Sequence, residues 1–314
     1  MASSKSVVLA ALFANGAIAV LKFIGYLLTL SPAMLSETYH SISDTGNQVF
    51  LLIGLRYGQR EASRSHPFGY GKAQFFYAFL VSVLLFGIAG WESARHGYAA
   101  LSHGETAVLA GRVTLVGESF PAVWVNYAVL SGGIAFEAYA FKKAHAAMRE
   151  EIDSREWSGF IEAFRKTSNV TTLTALTEDA IALAGLVLAL VGIALTSVTG
   201  DPVYDATAAF LIGLLLMGFA LALAWENKRL LLGESLPVVE ERRLRDIVDE
   251  WDGVTAVADF RSVLFGPDAV VITADVGFED HLDTEEIDER ISAMKRVLRQ
   301  SNRSVEKVYI EPEV

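Results

Sequence analysis

Six apolar runs, each long enough to cross a lipid bilayer as a helix, constrain this sequence more than any other feature. They begin at Val7, Ala33, Ala73, Phe120, Glu178 and Ala208. Each extends for about 20 residues, the length that a membrane-spanning helix requires. The first run continues past about 20 residues with no separate cleavage site, so we expect a retained first span and not a removed signal peptide. The sequence therefore predicts an α-helical membrane protein with six transmembrane helices within residues 1–232.

Basic residues are distributed unevenly among the connections between these runs. The connections near residue 31, at 104–119 and at 199–204 contain one basic residue, Arg112, whereas the alternate connections contain many. Because basic loops are retained on the cytoplasmic side, this bias predicts that both termini are cytoplasmic. The short N-terminus has no Arg-rich amphipathic presequence, which favours a bacterial inner membrane over an organellar membrane.

The composition changes after Leu232, where we predict a soluble C-terminal domain over residues 233–314. The whole chain carries a net charge of -11, and residues 234–314 hold 20 acidic and 10 basic side chains. This acidic balance disfavours nucleic acid as a partner. The pattern predicts an αββαβ order and hence a small ferredoxin-like α+β domain. A domain of this size buries a modest core, so we expect it to pair with a second copy as a homodimer. The predicted elements are a helix at 238–251, strands at 253–265 and 269–278, a helix at 284–300 and a strand at 305–312.

The second apolar run carries a polar stripe. At about 100° per residue, Glu37, His40, Asp44 and Asn47 share one helix face, and Asp44 falls near mid-span. Cysteine is absent, so any metal ligands must be nitrogen or oxygen atoms. A His and an Asp four residues apart suit Zn²⁺ and, less selectively, Mn²⁺, Fe²⁺ or Co²⁺. The alternative is that His40 and Asp44 only bond each other or a neighbouring helix.

Acidic residues on the fifth run favour the metal interpretation. Glu178 and Asp179 lie a few residues to the cytoplasmic side of the centre of the fifth helix, and buried carboxylates that face His40 and Asp44 would repel without a cation. Other membrane-embedded charges have simpler interpretations. We expect Lys22 and Glu37 to form a structural ion pair. Glu137 on the fourth run could line the inner entrance or pair with a nearby lysine.

With these residues in place, the chain resembles the cation diffusion facilitator family. The pair His40 and Asp44 matches the family's ligand pair on the second helix, and the segment "HPFGYGKAQ" at 66–74 is similar to its loop signature. Asp205 resembles the acidic residue that opens the sixth helix, and "LTEDA" at 176–180 is most similar to the branch that contains zinc transporter nine. The resemblance implies six spans, a metallochaperone-like C-terminal domain, and metal ligands on the second and fifth helices.

The ligand set departs from the family pattern in the fifth helix. Ala175 occupies the position of the first ligand there. The resemblance therefore implies a site of His40, Asp44 and Asp179, with a fourth ligand from Glu178, Asn47 or water. Glu178 and Asp179 lie about 100° apart around the helix, so both reach one ion only if the helix is distorted or the side chains stretch.

Two further metal sites of the family are incomplete. In the loop between the second and third helices, Ser63 and Tyr70 replace the ligands, so we expect His66 to brace the loop. In the C-terminal domain, Ala258, Ala274 and Glu311 stand at the usual His positions. That domain is therefore predicted to mediate dimerisation, with at most loose metal binding.

These observations predict a divalent metal cation transporter that exports Zn²⁺ in exchange for protons by alternating access. We expect no enzymatic activity and no cofactor besides the transported ion. The alternative is a non-transporting membrane scaffold or metal sensor that acts through the C-terminal domain. An intramembrane hydrolase is disfavoured, because no convincing nucleophile and base are arranged together.

Overall fold

The structure is a computed structural model that describes residues 2–103, 111–115, 118–154, 157–160, 162–163, 170–267 and 269–313. Internal contacts divide the chain into two compact units. One consists of Met1–Phe50 with Leu80–Ala224, and the other of Leu51–Phe79 with Trp225–Val314.

Long helices account for most of the first unit, and three of them extend into the second. Their bounds are α1 Ala2–Thr29, α2 Pro32–Gly58, α3 Lys72–His103, α4 Val123–Ser154, α5 Val170–Thr199 and α6 Val203–Leu232. Within α3, the stretch Leu85–Gly90 is π-helical. Strands β1 (Arg112–Leu115) and β2 (Glu118–Pro121) form a small antiparallel hairpin before α4.

Membrane-spanning character is clearest in three of these helices. Among the described residues, Lys72–His103, Leu176–Thr199 and Val203–Leu232 are long and apolar enough to cross a membrane, and Asn15–Thr29 forms a shorter apolar helix. The prediction of a mostly helical membrane protein with a C-terminal sheet domain is confirmed. The number of six spans stays a prediction.

The ends of the helices follow from local backbone chemistry. Helix α2 begins with Pro32, whose missing N–H costs nothing at the first helical position. Helix α5 ends at Thr199, followed by Gly200 with a φ of 74°. Glycine adopts this left-handed conformation without a steric penalty, and it is the usual residue just after a helix.

Small residues let α3 and α6 approach closely. A Cβ atom added at Gly97 would lie 2.4 Å from the Phe210 backbone nitrogen, and one at Gly213 would lie 2.3 Å from that of Ala94. The two backbones therefore meet directly, as at the small-residue interfaces common in membranes.

The second unit contains the predicted αββαβ elements. They are α7 Val238–Asp249, β3 Val254–Gly266, β4 Ala269–Phe278, α8 Thr284–Ser301 and β5 Val305–Glu313. The sheet order is β3-β4-β5, with β3 and β4 antiparallel and β4 and β5 parallel. Alternate residues of the central strand, Val270, Ile272, Ala274 and Val276, contribute to a core that includes Met294 and Leu298 of α8.

The segment between α2 and α3 belongs to this second unit. The Phe68 ring lies 4.8 Å from the Phe265 ring on β3. Lys307 on β5 donates a 3.1 Å hydrogen bond to the Pro67 carbonyl. A Cβ at Gly71 would lie 2.4 Å from the Phe265 carbonyl oxygen, so glycine is required for this approach.

Candidate metal site

The polar face of α2 brings His40 and Asp44 together. The distance from His40 Nε2 to Asp44 Oδ2 is 3.5 Å, and the exposed fractions of the two side chains are 5% and 26%. Residues four apart lie one above the other on a helix, so the pair follows directly from the spacing. An imidazole nitrogen and a carboxylate oxygen thus face the same region of the first unit.

One turn further along α2, Asn47 connects this face to α5. Its Nδ2 donates a 3.3 Å hydrogen bond to Glu178 Oε1. The Glu178 carboxyl is also close enough to Asp44, His40 and Asp179 to interact with them electrostatically. Helices α2 and α5 therefore present their polar residues to each other.

Helix α4 contributes a further carboxyl to this region. Glu137 is half-buried, and it lies within electrostatic range of Asp44, Asp179 and His40. The sequence left open whether Glu137 lines the inner entrance or pairs with a nearby lysine, and that choice stays a prediction. The sequence signal for this position was that Glu137 lies at roughly the same depth in its predicted span as Glu178 and Asp179 do in theirs.

In this structure the predicted ligands do not form a single coordination sphere. In the part of the chain that the structure describes, no three His, Asp or Glu side chains are grouped closely enough to hold an ion together. The structure shows two polar pairs, His40 with Asp44 and Asn47 with Glu178. Asp179 is half-buried on the next position of α5. The side chain of Ala175 lies outside the described residues.

A buried ion pair lies next to this face, as the sequence predicts. Lys22 Nζ on α1 is 2.7 Å from Glu37 Oε2 on α2, and the exposed fractions of the two side chains are 6% and 0%. Glu37 precedes His40 by three residues, so the pair lies about one helical turn from the candidate metal site.

Asp205 of α6 has a structural role, because it contacts the start of α2. Its Oδ1 accepts hydrogen bonds from Ser31 Oγ at 2.9 Å and from the Ala33 backbone nitrogen at 3.1 Å. The carboxylate of α6 therefore caps the N-terminus of α2, where free backbone N–H groups favour an anion. This contact fixes the helix that carries His40 and Asp44.

The loop between α2 and α3 is held by hydrogen bonds and ring stacking. Ser63 Oγ lies 3.1 Å from Tyr70 Oη, and the His66 ring stacks on Tyr70 with centroids 4.2 Å apart. Ser63 and His66 also exchange two backbone hydrogen bonds of 3.1 and 3.0 Å. Ser63 and Tyr70, which replace the expected metal ligands, are therefore in contact with each other, and His66 braces the loop.

Acidic residues line up across the sheet of the C-terminal unit. Asp259, Asp275 and Glu311 are register partners on β3, β4 and β5. Asp259 is neutralised by Arg261, with a distance of 2.6 Å between Oδ2 and Nη2. Loose metal binding by this domain stays a prediction.

The structure has the features of a membrane protein: long apolar helices, a polar contact between α2 and α5, and a C-terminal sheet domain. The family model of the cation efflux transmembrane domain matches residues 8–232. The chain belongs to this cation efflux family, also called the cation diffusion facilitators. Its members are transporters and not enzymes.

Several proteins are similar to the chain over nearly its whole length. It is 27% identical to the human "Proton-coupled zinc antiporter SLC30A9, mitochondrial", over 93% of this chain and 50% of that protein. It is 24% identical to "Metal tolerance protein C4" of Arabidopsis thaliana, over 89% of this chain and 58% of that protein. The match to "Putative transporter MamV" of Paramagnetospirillum magneticum is 25% identical, over 90% of this chain and 77% of that protein. The chain therefore spans about half the length of the human relative.

Proposed function

We propose that the chain is a divalent metal cation transporter that exports Zn²⁺ from the cytoplasm in exchange for protons. The observation that carries this proposal is the polar contact between α2 and α5, where His40 and Asp44 stand beside the Asn47 to Glu178 hydrogen bond. The human relative is named as a proton-coupled zinc antiporter, which supports the same ion and the same coupling here.

The residue types suit a divalent cation of borderline hardness. Imidazole and carboxylate ligands accept Zn²⁺, and they also accept Mn²⁺, Fe²⁺ and Co²⁺. We propose His40, Asp44, Asp179 and Glu178 as ligands, with Asn47 holding Glu178 toward α2. A small approach of α5 to α2 would convert the two polar pairs into one site, and ligand geometry would then select the ion.

Proton exchange follows from the chemistry of these ligands. A His and carboxylates bind metal only when they are deprotonated, so the arriving ion displaces protons and returning protons release the ion. Alternating access to each side of the membrane completes the cycle, because a site near mid-span is exposed to one side at a time.

The architecture proposed for this function has six spans in a transport domain of residues 1–232 and a cytoplasmic ferredoxin-like domain of residues 233–314. Both termini are cytoplasmic, and the protein is a homodimer in a bacterial inner membrane. The distribution of Lys and Arg supports this orientation. The αββαβ order and the small core of the C-terminal unit support its role in pairing two copies.

Zinc uptake by proteoliposomes tests the proposal. Asp44→Asn and His40→Ala should each lower zinc flux at least tenfold, because each removes a ligand while sparing the contacts that hold α2 in place. Asp288→Ala is the matched control, since Asp288 is exposed on α8. An imposed pH gradient should change the wild-type flux. Undiminished zinc flux in both site variants would refute the site assignment, and indifference to the gradient would refute proton exchange.

A non-transporting metal sensor is the second candidate, because no three ligands are grouped closely among the described residues. A sensor binds zinc at His40 and Asp44 and changes the C-terminal domain without moving the ion. Binding measured by calorimetry in a protein that shows no flux in proteoliposomes would favour the sensor over the transporter.

A further inference from the structure

Burial along α2 changes just after Ser41, which has an exposed fraction of 5%. On the Pro32 side, Met34, Ser36 and Glu37 each have an exposed fraction of 0%. On the other side, the Asp44 side chain is 26% exposed, and Asn47 is half-buried. The stretch of α2 on the Pro32 side of the candidate metal site is therefore closed, and the stretch on the Asn47 side is partly exposed.

The Lys22 to Glu37 ion pair lies on the closed side. Glu37 Oε2 accepts a 2.7 Å hydrogen bond from Lys22 Nζ. Glu37 Oε1 is buried and has no hydrogen-bond partner among the described residues. A buried carboxylate oxygen without a donor is unfavourable. The surrounding helices therefore hold the Glu37 side chain in place although one of its oxygens is left unsatisfied.

A glycine of α5 makes room for the unpartnered oxygen. A Cβ atom added at Gly185 would lie 2.7 Å from Glu37 Oε1. Gly185 follows Glu178 by seven residues, about two turns, so both residues lie on the same face of α5. The Glu37 carboxylate is therefore wedged between α1 and the face of α5 that carries Glu178.

We propose that the Lys22 to Glu37 ion pair, seated against Gly185, is the gate that closes the ion path on the Pro32 side of the metal site. The inference rests on the proposed transport function. The pair is electrically neutral as a unit, so it blocks the path without competing with the metal ligands for the cation. Opening requires α5 to move away from Glu37 or Lys22 to leave it, because the oxygen fills the space that the glycine provides.

Cysteine labelling tests the gate, since the chain has no cysteine of its own. Ser36→Cys introduces a reporter at a fully buried position on the closed side. A membrane-impermeant cationic methanethiosulfonate is added to either face of sealed vesicles. With the gate intact, we expect slow labelling from the Pro32 side. Lys22→Ala combined with Glu37→Ala removes the pair without stranding a charge, and it should accelerate labelling from that side at least tenfold.

Two controls separate gating from loss of packing. Leu130→Ala creates a cavity at a residue of 0% exposure on α4, and it should leave the labelling rate unchanged. The reversed pair, Lys22→Glu with Glu37→Lys, restores an ion pair and should restore slow labelling. A smaller perturbation, Gly185→Ala, should also accelerate labelling, whereas Gly132→Ala should not, because a Cβ at Gly132 meets nothing within 4 Å.

The outcomes distinguish the gate from the proposed function. If the pair only stabilises the bundle, its removal lowers the melting temperature and leaves side-specific labelling unchanged. That result would overturn the gate. Fast labelling of the double alanine variant, together with no zinc flux through the wild-type protein, would retain the gate and overturn the proposed transport function. Wild-type zinc flux together with unchanged labelling would retain the transporter and reject the gate.

Discussion

Replacement of Asp205 by Ala tests how the start of α2 is fixed. Asp205, Ser31 and Ala33 all have an exposed fraction of 0%, and Asp205 Oδ1 accepts two hydrogen bonds from the other two residues. Hydrogen bonds to a charged acceptor contribute roughly 1.5 to 3 kcal/mol each. The loss of both should therefore cost about 3 kcal/mol or more, and Asp205→Ala leaves two buried donors without an acceptor.

The amide variant sharpens this prediction. Within the part of the chain that the structure describes, Asp205 Oδ2 is buried and has no hydrogen-bond partner, so the carboxylate gains little from its second oxygen. Asp205→Asn retains an accepting oxygen but is uncharged and places an amide N–H group at the buried Oδ2 position, so it should cost about 1 to 2 kcal/mol, less than the alanine variant. Asp201→Ala is an exposed control. Its Oδ1 accepts a 3.0 Å hydrogen bond from the Val203 nitrogen, and the loss of an ordinary N-cap costs about 1 kcal/mol.

Thermal unfolding of the purified protein in detergent measures these differences. At roughly 2 to 4 °C per kcal/mol, Asp205→Ala should lower the melting temperature by about 6 to 12 °C. Asp205→Asn and Asp201→Ala should each lower it by a few degrees. Equal melting temperatures for the alanine and asparagine variants would show that the two hydrogen bonds do not fix the start of α2.

Two further substitutions test close packing and helix capping. Gly97→Ala should destabilise the bundle by about 1 to 3 kcal/mol, because its Cβ would lie 2.4 Å from the Phe210 nitrogen, whereas Gly87→Ala on the same helix meets nothing within 4 Å. The same melting-temperature assay checks this pair, and equal losses would contradict the close α3 to α6 approach. Asp283→Ala should cost about 1 kcal/mol, since its side chain accepts from Glu285 and Glu286 in a capping box at the start of α8. Chemical denaturation of the C-terminal unit in the full chain measures this cost, and an unchanged midpoint would argue against the cap.

Much of the fold could be predicted because the two units obey different simple rules. In the C-terminal unit, alternate residues of β4 enter the core, and α8 buries Ile291, Met294 and Leu298 on one face. Both periodicities are visible in the sequence. In the first unit, long apolar runs predicted the helices. Among the described residues, α2 is not one of the helices apolar enough to cross a membrane, and the stripe that includes Glu37, His40 and Asp44 lowers its hydropathy.

The candidate site was predictable only within one helix. The contact between His40 and Asp44 follows from a spacing of four residues on α2. Whether Glu178 or Asp179 faces α2 does not follow from spacing, because it depends on the rotation of α5 about its axis. That rotation is set by packing, as at Gly192, where an added Cβ would lie 2.5 Å from the Ala208 Cβ. No local pattern in α5 encodes its neighbour in α6.

The three polar contacts of α2 also determine how a movement of this helix would be distributed. Asp205 holds the helix at Ala33, Lys22 holds it at Glu37, and Glu178 contacts it at Asn47. At 1.5 Å per residue, Glu37 lies about 6 Å from Ala33 along the axis, and Asn47 lies about 21 Å from it. A rigid rotation about the capped start would therefore displace Asn47 about 3.5 times as far as Glu37. Such a rotation can separate Asn47 from Glu178 while Glu37 stays against Gly185, so opening the Pro32 side requires a different movement, of α1 or α5 relative to α2.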